Sequence, residues 1–311
     1  MRSSYLIGRA CVLAIVATVA ACAAEPWPDP PAMDEAAYRS AYEAWRSGQQ
    51  QTAEYAIRIA GIWPLPDGET AFGSDPSLPI VLRSSVVPSR AGVFRRTGDQ
   101  VTVIPAAGAP LLADGSLVMS AADVLGPIEL GSISLEIVSM GLPSDERRFV
   151  MAWDAQHPDA QNLPPIDTYP VDRRWRVAAR FDAFDTPRVI RVADVRGGFV
   201  DMPAPGELVF RFEGEEMRLT AIGEPGREDL LVMFKDPTNT TTTYGGYRMV
   251  TPRAVSDGEW TVLDFNMAFN PPCAYSRFTT CPLPPRENRL GAAVQAGEKR
   301  YPAGQGFVAS D

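Results

Sequence analysis

The sequence predicts a mainly β protein, in which an N-terminal helix is followed by a β-sandwich-like unit and a second β-rich unit. Two observations carry most of that expectation. Apolar residues alternate with polar ones through most of the chain, as in Trp175, Val177, Ala179 and Phe181 against Arg174, Arg176 and Arg180. Five dipeptides suited to tight turns, Asp67-Gly68, Gly98-Asp99, Asp114-Gly115, Glu213-Gly214 and Asp257-Gly258, separate the apolar runs. With 311 residues, 45% hydrophobic and 22% charged, the chain has the composition of a globular protein of one or two domains.

The first segment is read as a targeting signal. Arg2 and Arg9 precede an apolar run at 10–21 that is too short and too early for an ordinary membrane span. Its end, Val19-Ala20-Ala21-Cys22, resembles a bacterial lipobox, which makes Cys22 the lipidated mature N-terminus, and residues 1–21 the lipoprotein signal peptide. Removing that peptide takes two arginines and no acid, leaving 27 basic against 38 acidic residues. Such a charge argues against nucleic-acid binding and against attraction to anionic lipid. Attachment then rests on the lipid, with residues 22–32, rich in proline, as an extended tether. The expected location is the bacterial cell envelope, facing the periplasm or exterior.

After the tether, Asp34 caps a stripe of Tyr38, Ala41, Tyr42 and Trp45, a helix expected to end near Gly48. Beyond it Tyr55, Ile57 and Ile59 read as a strand. Further strands are expected at 80–83, 92–95, 101–105, 132–138 and 148–153. Residues 156–170, QHPDAQNLPPIDTYP, read as a Pro-rich linker with little to bury. It divides a first unit, 33–155, from a second, 171–311. Strands in the second unit are expected at 208–210, 217–219, 230–234 and 261–265.

Catalytic motifs are scarce. There is no G-x-S-x-G elbow, P-loop, G-x-G-x-x-G or H-E-x-x-H, and the single histidine, His157, falls in the linker. No metal or cofactor is expected. The chemically dense stretch is 243–301, which contains TYGGYR, LDFN, FNPPCAYSRFTTCPLPPRENRL and AGEKRY. Cys273 and Cys281 suit a disulfide in an oxidising compartment, a closure worth about 2 to 3 kcal/mol. Free buried thiols, and a metal or redox pair, are the other readings. Tyr244, Arg248, Asp264, Asn266, Asn270, Arg289, Glu298 and Lys299 surround these cysteines in sequence. They either tie long loops to the β core or converge on a polar pocket, with Arg248 or Arg289 for an anion and Asp264 or Glu298 as acid or base.

The same motifs, preceded by YPVDRRWRVAARF, resemble the family called domain of unknown function 1684, over about residues 45–301. The resemblance implies a β-rich domain and no established activity. The first half is similar to forkhead-associated domains through FGSDPSLPIVL at 72–82, Val87-Pro88-Ser89-Arg90-Ala91 and the Asp114-Gly115 turn. Ser74 stands where that family has its arginine, no histidine follows Arg90, and Ser89 alone carries over. Function is therefore expected to be that of a lipid-anchored ligand- or protein-binding module, taking a small anionic ligand or an envelope protein. The alternative is an enzyme acting on a small anionic compound through Asp264, Arg248, Glu298 and Arg289.

Overall fold

The computed structural model describes residues 27–140, 147–193, 199–224, 227–279 and 281–302. Cys22 and the signal segment lie outside them. Helix α1 spans Glu35–Ile57, and Asp34 Oδ1 accepts the Ala37 amide at 2.7 Å to cap it. The helix does not end near Gly48 as expected. It continues because Ala53, Ala56 and Ile57, at i, i+3 and i+4, bury against tyrosines and cysteines of the C-terminal unit. That burial outweighs the roughly 1 kcal/mol that one mid-helix glycine costs, and it takes Tyr55 and Ile57 out of the expected strand.

Among the described residues eleven strands follow: β1 (Ile59–Pro64), β2 (Gly68–Gly73), β3 (Ile80–Val81), β4 (Gly92–Thr97), β5 (Gln100–Pro105), β6 (Leu112–Ala113), β7 (Ser116–Leu117), β8 (Ala122–Asp123), β9 (Ile128–Leu130), β10 (Ile133–Met140) and β11 (Arg147–Asp154). They form a five-stranded sheet, β3-β2-β4-β5-β8, and a six-stranded sheet, β1-β11-β10-β9-β6-β7. Phe72, Phe94 and Val103 of the first meet Ile128, Leu135 and Val150 of the second in one core, so the two sheets form a sandwich. Of the six strands expected here, the one through Tyr55 and Ile57 is helix instead, and the other five are present, some shorter or longer by a few residues.

The second unit holds β12 (Arg176–Ala193), β13 (Phe199–Phe212), β14 (Glu215–Ala221), β15 (Val232–Phe234), β16 (Arg248–Val250) and β17 (Trp260–Asp264). Its main sheet runs β14-β13-β12-β17, and β15 pairs with β16. The alternation at 174–181 has the expected sense. Trp175, Val177, Ala179 and Phe181 are buried, and Trp175 stacks on Phe212 at 4.3 Å. The outward arginines are satisfied: Arg180 Nε reaches Asp182 Oδ1 at 2.6 Å, and Arg176 donates to the Pro31 carbonyl at 2.7 Å. The turn dipeptides behave as read, with φ of 48° and 73° at Asp114-Gly115 and 52° and 88° at Glu213-Gly214.

Two segments expected to be loose are held down. Trp27, in the expected tether, donates from Nε1 to the Ala178 carbonyl at 3.4 Å and meets Trp260 edge-on at 5.0 Å. In the linker, Ile166 is buried, and its amide donates to Gln50 Oε1 at 2.9 Å. Tyr169 N donates to the Gly297 carbonyl at 2.9 Å, and Lys299 N to that of Asp167 at 2.9 Å. The expectation of little to bury is thereby corrected: the linker is strapped to the AGEKRY motif because its unpaired backbone finds partners there.

Gly73 shows how close backbones approach in the sandwich. A Cβ there would stand 2.3 Å from the Ser89 carbonyl oxygen, in a loop pinned by Ser74 N to Pro88 O and Asp75 N to Ser89 O. Gly73→Ala is expected to destabilise the protein by about 1 to 3 kcal/mol, an overpacking cost. Urea unfolding checks this, and an unchanged midpoint contradicts it.

Candidate functional site

The loops after β15 converge on a buried ion pair. Asp236 lies two residues past the end of β15 and caps the short 3-10 helix Pro237–Thr240, its Oδ1 accepting the Thr238 amide at 2.8 Å. Arg248 begins β16, fully excluded from solvent, and its Nη2 donates to Asp236 Oδ2 at 2.8 Å. The same guanidinium donates to the carbonyls of Val294, at 2.8 Å, and Ala296, and to Thr238 Oγ1 at 3.3 Å. Phe234 lies under it, 5.3 Å from centroid to guanidinium carbon. Burial lowers the Arg248 pKa from its ordinary value, while Asp236 acts to raise it. Arg248 is therefore a cross-brace between β15, β16 and the C-terminal loop, and it does not present its charge to an open cavity.

A second polar cluster surrounds Glu298, also fully buried. Its Oε2 accepts the Asn270 amide and the Tyr275 hydroxyl, each at 2.7 Å. Asn270 Nδ2 donates to the Lys299 carbonyl at 2.9 Å. Desolvation pushes the Glu298 carboxyl up to about 7, against hydrogen bonds that lower it. Among the described residues Glu298 Oε1, Asn270 Oδ1 and Arg248 Nε have no hydrogen-bond partner. A protonated Glu298 suits this setting, because it carries no net charge into the core.

The cysteines form the third cluster. Cys273 and Cys281, the expected disulfide pair, are free buried thiols in the structure. They are in contact: Cys281 Sγ accepts the Cys273 amide at 3.3 Å. The thiol–thiol hydrogen bond, ahead of burial, raises Cys273, and it lowers Cys281. Tyr244 OH donates to the Cys273 carbonyl at 3.4 Å, and burial raises the Tyr244 pKa.

The other expected site residues are dispersed. Asp264 caps the turn Phe265–Met267 and accepts the Tyr38 hydroxyl at 2.9 Å, tying α1 to β17; desolvation raises its pKa. Asn266 accepts the Asp172 amide and donates to its carbonyl, both at 3.0 Å. Lys299 pairs with Asp167 at 3.0 Å. Arg289 is exposed on the β15 side. The polar-pocket expectation is thus corrected for Arg248 and Glu298, whose burial serves internal bonding, and Arg289 does not join them. Asn288, its neighbour in the NRL motif, is the more consequential residue: it bonds Thr220 N and O and the Met233 carbonyl at 2.7 to 2.9 Å. Among the described residues no group of three or more His, Cys, Asp or Glu could hold a metal ion.

The open chemistry lies elsewhere. A cleft of about 500 Å³ lies between the sandwich and the C-terminal loops, lined by Trp63, Arg83, Asp154, His157, Arg277 and Phe278 among others. Arg83 is exposed. His157 Nδ1 accepts the Asp159 amide at 3.3 Å to cap the 3-10 helix Pro158–Ala160, which leaves Nε2 as the donor of the neutral ring. His157 is thus not a free linker side chain. Sequence reading missed this cleft, because Trp63, Arg83, His157 and Arg277 are far apart in the chain.

The family model for the protein of unknown function DUF1684 matches residues 161–299. An uncharacterized protein from gene locus rrnAC0354 of Haloarcula marismortui, solved by solution NMR, is 32% identical over 47% of this chain and 80% of its own, with a TM-score of 0.39. The chain belongs to the DUF1684 family. The matched span starts at the linker and is shorter than the expected 45–301. No curated protein matches. The DUF1684 segment contains all three buried clusters, so the motifs that mark the family are in this chain the residues that brace its loops.

Two measurements follow from the braces. Arg248→Met strands Asp236 without its counter-charge and is expected to cost about 3 to 5 kcal/mol in denaturant unfolding; a loss under about 1 kcal/mol would sink the brace. For Glu298, the folded value of about 7 exceeds the ordinary 4.5, so between these limits the folded state holds a proton that the unfolded state lacks. Stability is therefore present below pH 4.5 and is lost as pH rises to 7, by about 3 kcal/mol from this group. Glu298→Gln should flatten that slope, as read by unfolding at several pH values.

Proposed function

We propose that this protein is a non-catalytic binding module, lipid-anchored in a bacterial cell envelope through Cys22, that takes a small anionic ligand in the cleft between its two β units. The observation that carries the reading is the composition of that cleft. Arg83, Arg277 and the donor of His157 stand beside the aromatic walls of Trp63 and Phe278 in a space of about 500 Å³. Ligand sites favour such junctions, with apolar walls and a few convergent polar groups, and guanidinium groups pair well with carboxylates and phosphates. The alternative of an enzyme working through Asp264, Arg248, Glu298 and Arg289 is disfavoured by their geometry. The first three are occupied by internal bonds, and Arg289 is exposed beside Lys235.

The anchor rests on the lipobox-like VAAC, and on a mature charge that gives no attraction to anionic lipid. Among the described residues no helix is long and apolar enough to cross a membrane. Cys22→Ser is expected to move the protein from the membrane to the soluble fraction; unchanged fractionation would refute the anchor. The Cys22→Ser protein also tests the cleft. In a thermal-shift panel of aromatic carboxylates and phosphate esters, a ligand at about a hundred times its Kd stabilises by about 2.7 kcal/mol. Arg83→Ala should abolish the shift without lowering the unliganded Tm, since Arg83 is exposed and has no ion pair among the described residues. A shift that survives Arg83→Ala removes the cleft from the proposal.

A further inference from the structure

Trp27 is seated only five Cα steps from Cys22. At about 3.3 to 3.6 Å per residue those steps reach at most about 18 Å. The headgroup layer takes up about 5 to 7 Å of that reach, so a fully extended leash leaves Trp27 roughly one Debye length from the lipid surface. The seat adds no slack. Trp27 Nε1 donates to the Ala178 carbonyl, its ring meets Trp260 at 5.0 Å, and the Arg211 guanidinium lies 4.8 Å from its centroid. A few residues on, Arg176 holds the Pro31 carbonyl at 2.7 Å.

Trp260 is 40% exposed and also lines a shallow cleft of about 730 Å³. Arg227 and Arg253 face that cleft, both exposed and without an ion pair among the described residues. Glu259 lines it too, with Oε2 taken by the Ser256 amide at 2.9 Å. Indole rings sit favourably at headgroup level, and guanidinium groups bind phosphate.

Resting on the lipid anchor at Cys22, we propose that the rim formed by Trp27, Trp260, Arg227 and Arg253 is the membrane-apposed face of the protein, packed against phospholipid headgroups. The anchor then does more than retain the protein: it sets which side faces the bilayer. The rim shares no lining residue with the Trp63–Arg83 cleft. Because the mature chain is acidic overall, the rim orients the anchored protein and does not recruit it.

The test is phenylglyoxal modification of arginines, read by mass spectrometry, on the full lipidated protein in phosphatidylethanolamine–phosphatidylglycerol vesicles and on the Cys22→Ser protein free of lipid. Arg227 and Arg253 are expected to react about fivefold more slowly on vesicles, as for arginines held at an anionic surface. Arg83 should react equally in both. A flexible Gly/Ser insertion between Cys22 and Trp27 leaves the fold untouched and should abolish the protection while the protein stays on the vesicles. Equal labelling of Arg227 and Arg253 in both states, or protection that survives the insertion, overturns the orientation while leaving the anchor standing. Wild-type protein that fractionates like Cys22→Ser overturns the anchor and the rim together.

Discussion

The Asp236–Arg248 pair is the constraint on which the C-terminal half depends. Both side chains are wholly buried, a setting that is costly unless every charge is matched and its remaining hydrogen-bonding capacity used. Arg248 uses two carbonyls and a threonine hydroxyl besides its carboxylate, with Nε alone left over, and Asp236 takes two backbone amides besides its arginine. The pair thereby fixes the loop at 236–243 against the loop at 294–296. Long irregular segments cannot be buried otherwise, because their backbone groups lack the ladder partners of a sheet.

The same logic explains the rest of the dense C-terminal stretch. Glu298 holds the backbone at Asn270 through one oxygen, Asn288 serves as a surrogate strand neighbour for Thr220 and Met233, and Gly297, with φ of 70°, lets the chain pass against Ala268. At Gly297 a Cβ would stand 2.3 Å from the Ala268 carbonyl oxygen. A motif this particular looks catalytic in one dimension. In three it is largely a set of hydrogen-bonding solutions for a loop-rich core, and of its aromatic and cationic residues only a few, Arg253, Trp260, Arg277 and Phe278, reach the accessible clefts.

The segments flanking the strands are structural as well. Helix α1 gives its buried face to the C-terminal cluster, and the Pro-rich linker pairs with the AGEKRY motif. The residues from Trp27 to Pro31 lie on the outer face of the main sheet of the second unit, where Ala178 and Val209 are buried. Proline lowers the entropy lost when such extended stretches are immobilised, which suits them to docking as much as to spacing.

What the sequence determined by itself was whatever depends on near neighbours. Two-residue alternation gave the strands of both units and the inward side of 174–181, the turn dipeptides marked positive φ at Asp114 and Glu213, and Asp34 marked the helix start. What the sequence could not determine depended on contacts between distant positions. Ala53, Ala56 and Ile57 look unremarkable until the C-terminal tyrosines cover them, so the helix end at Ile57 was illegible. Arg248 read equally well as an anion site or a brace, since nothing local distinguishes Asp236 from any other acid. Trp63, Arg83, His157 and Arg277 line one cleft only in the folded chain, and Trp27 finds its seat only on a completed sheet. Burial and partner choice are properties of the folded surface, and tertiary structure alone decides them.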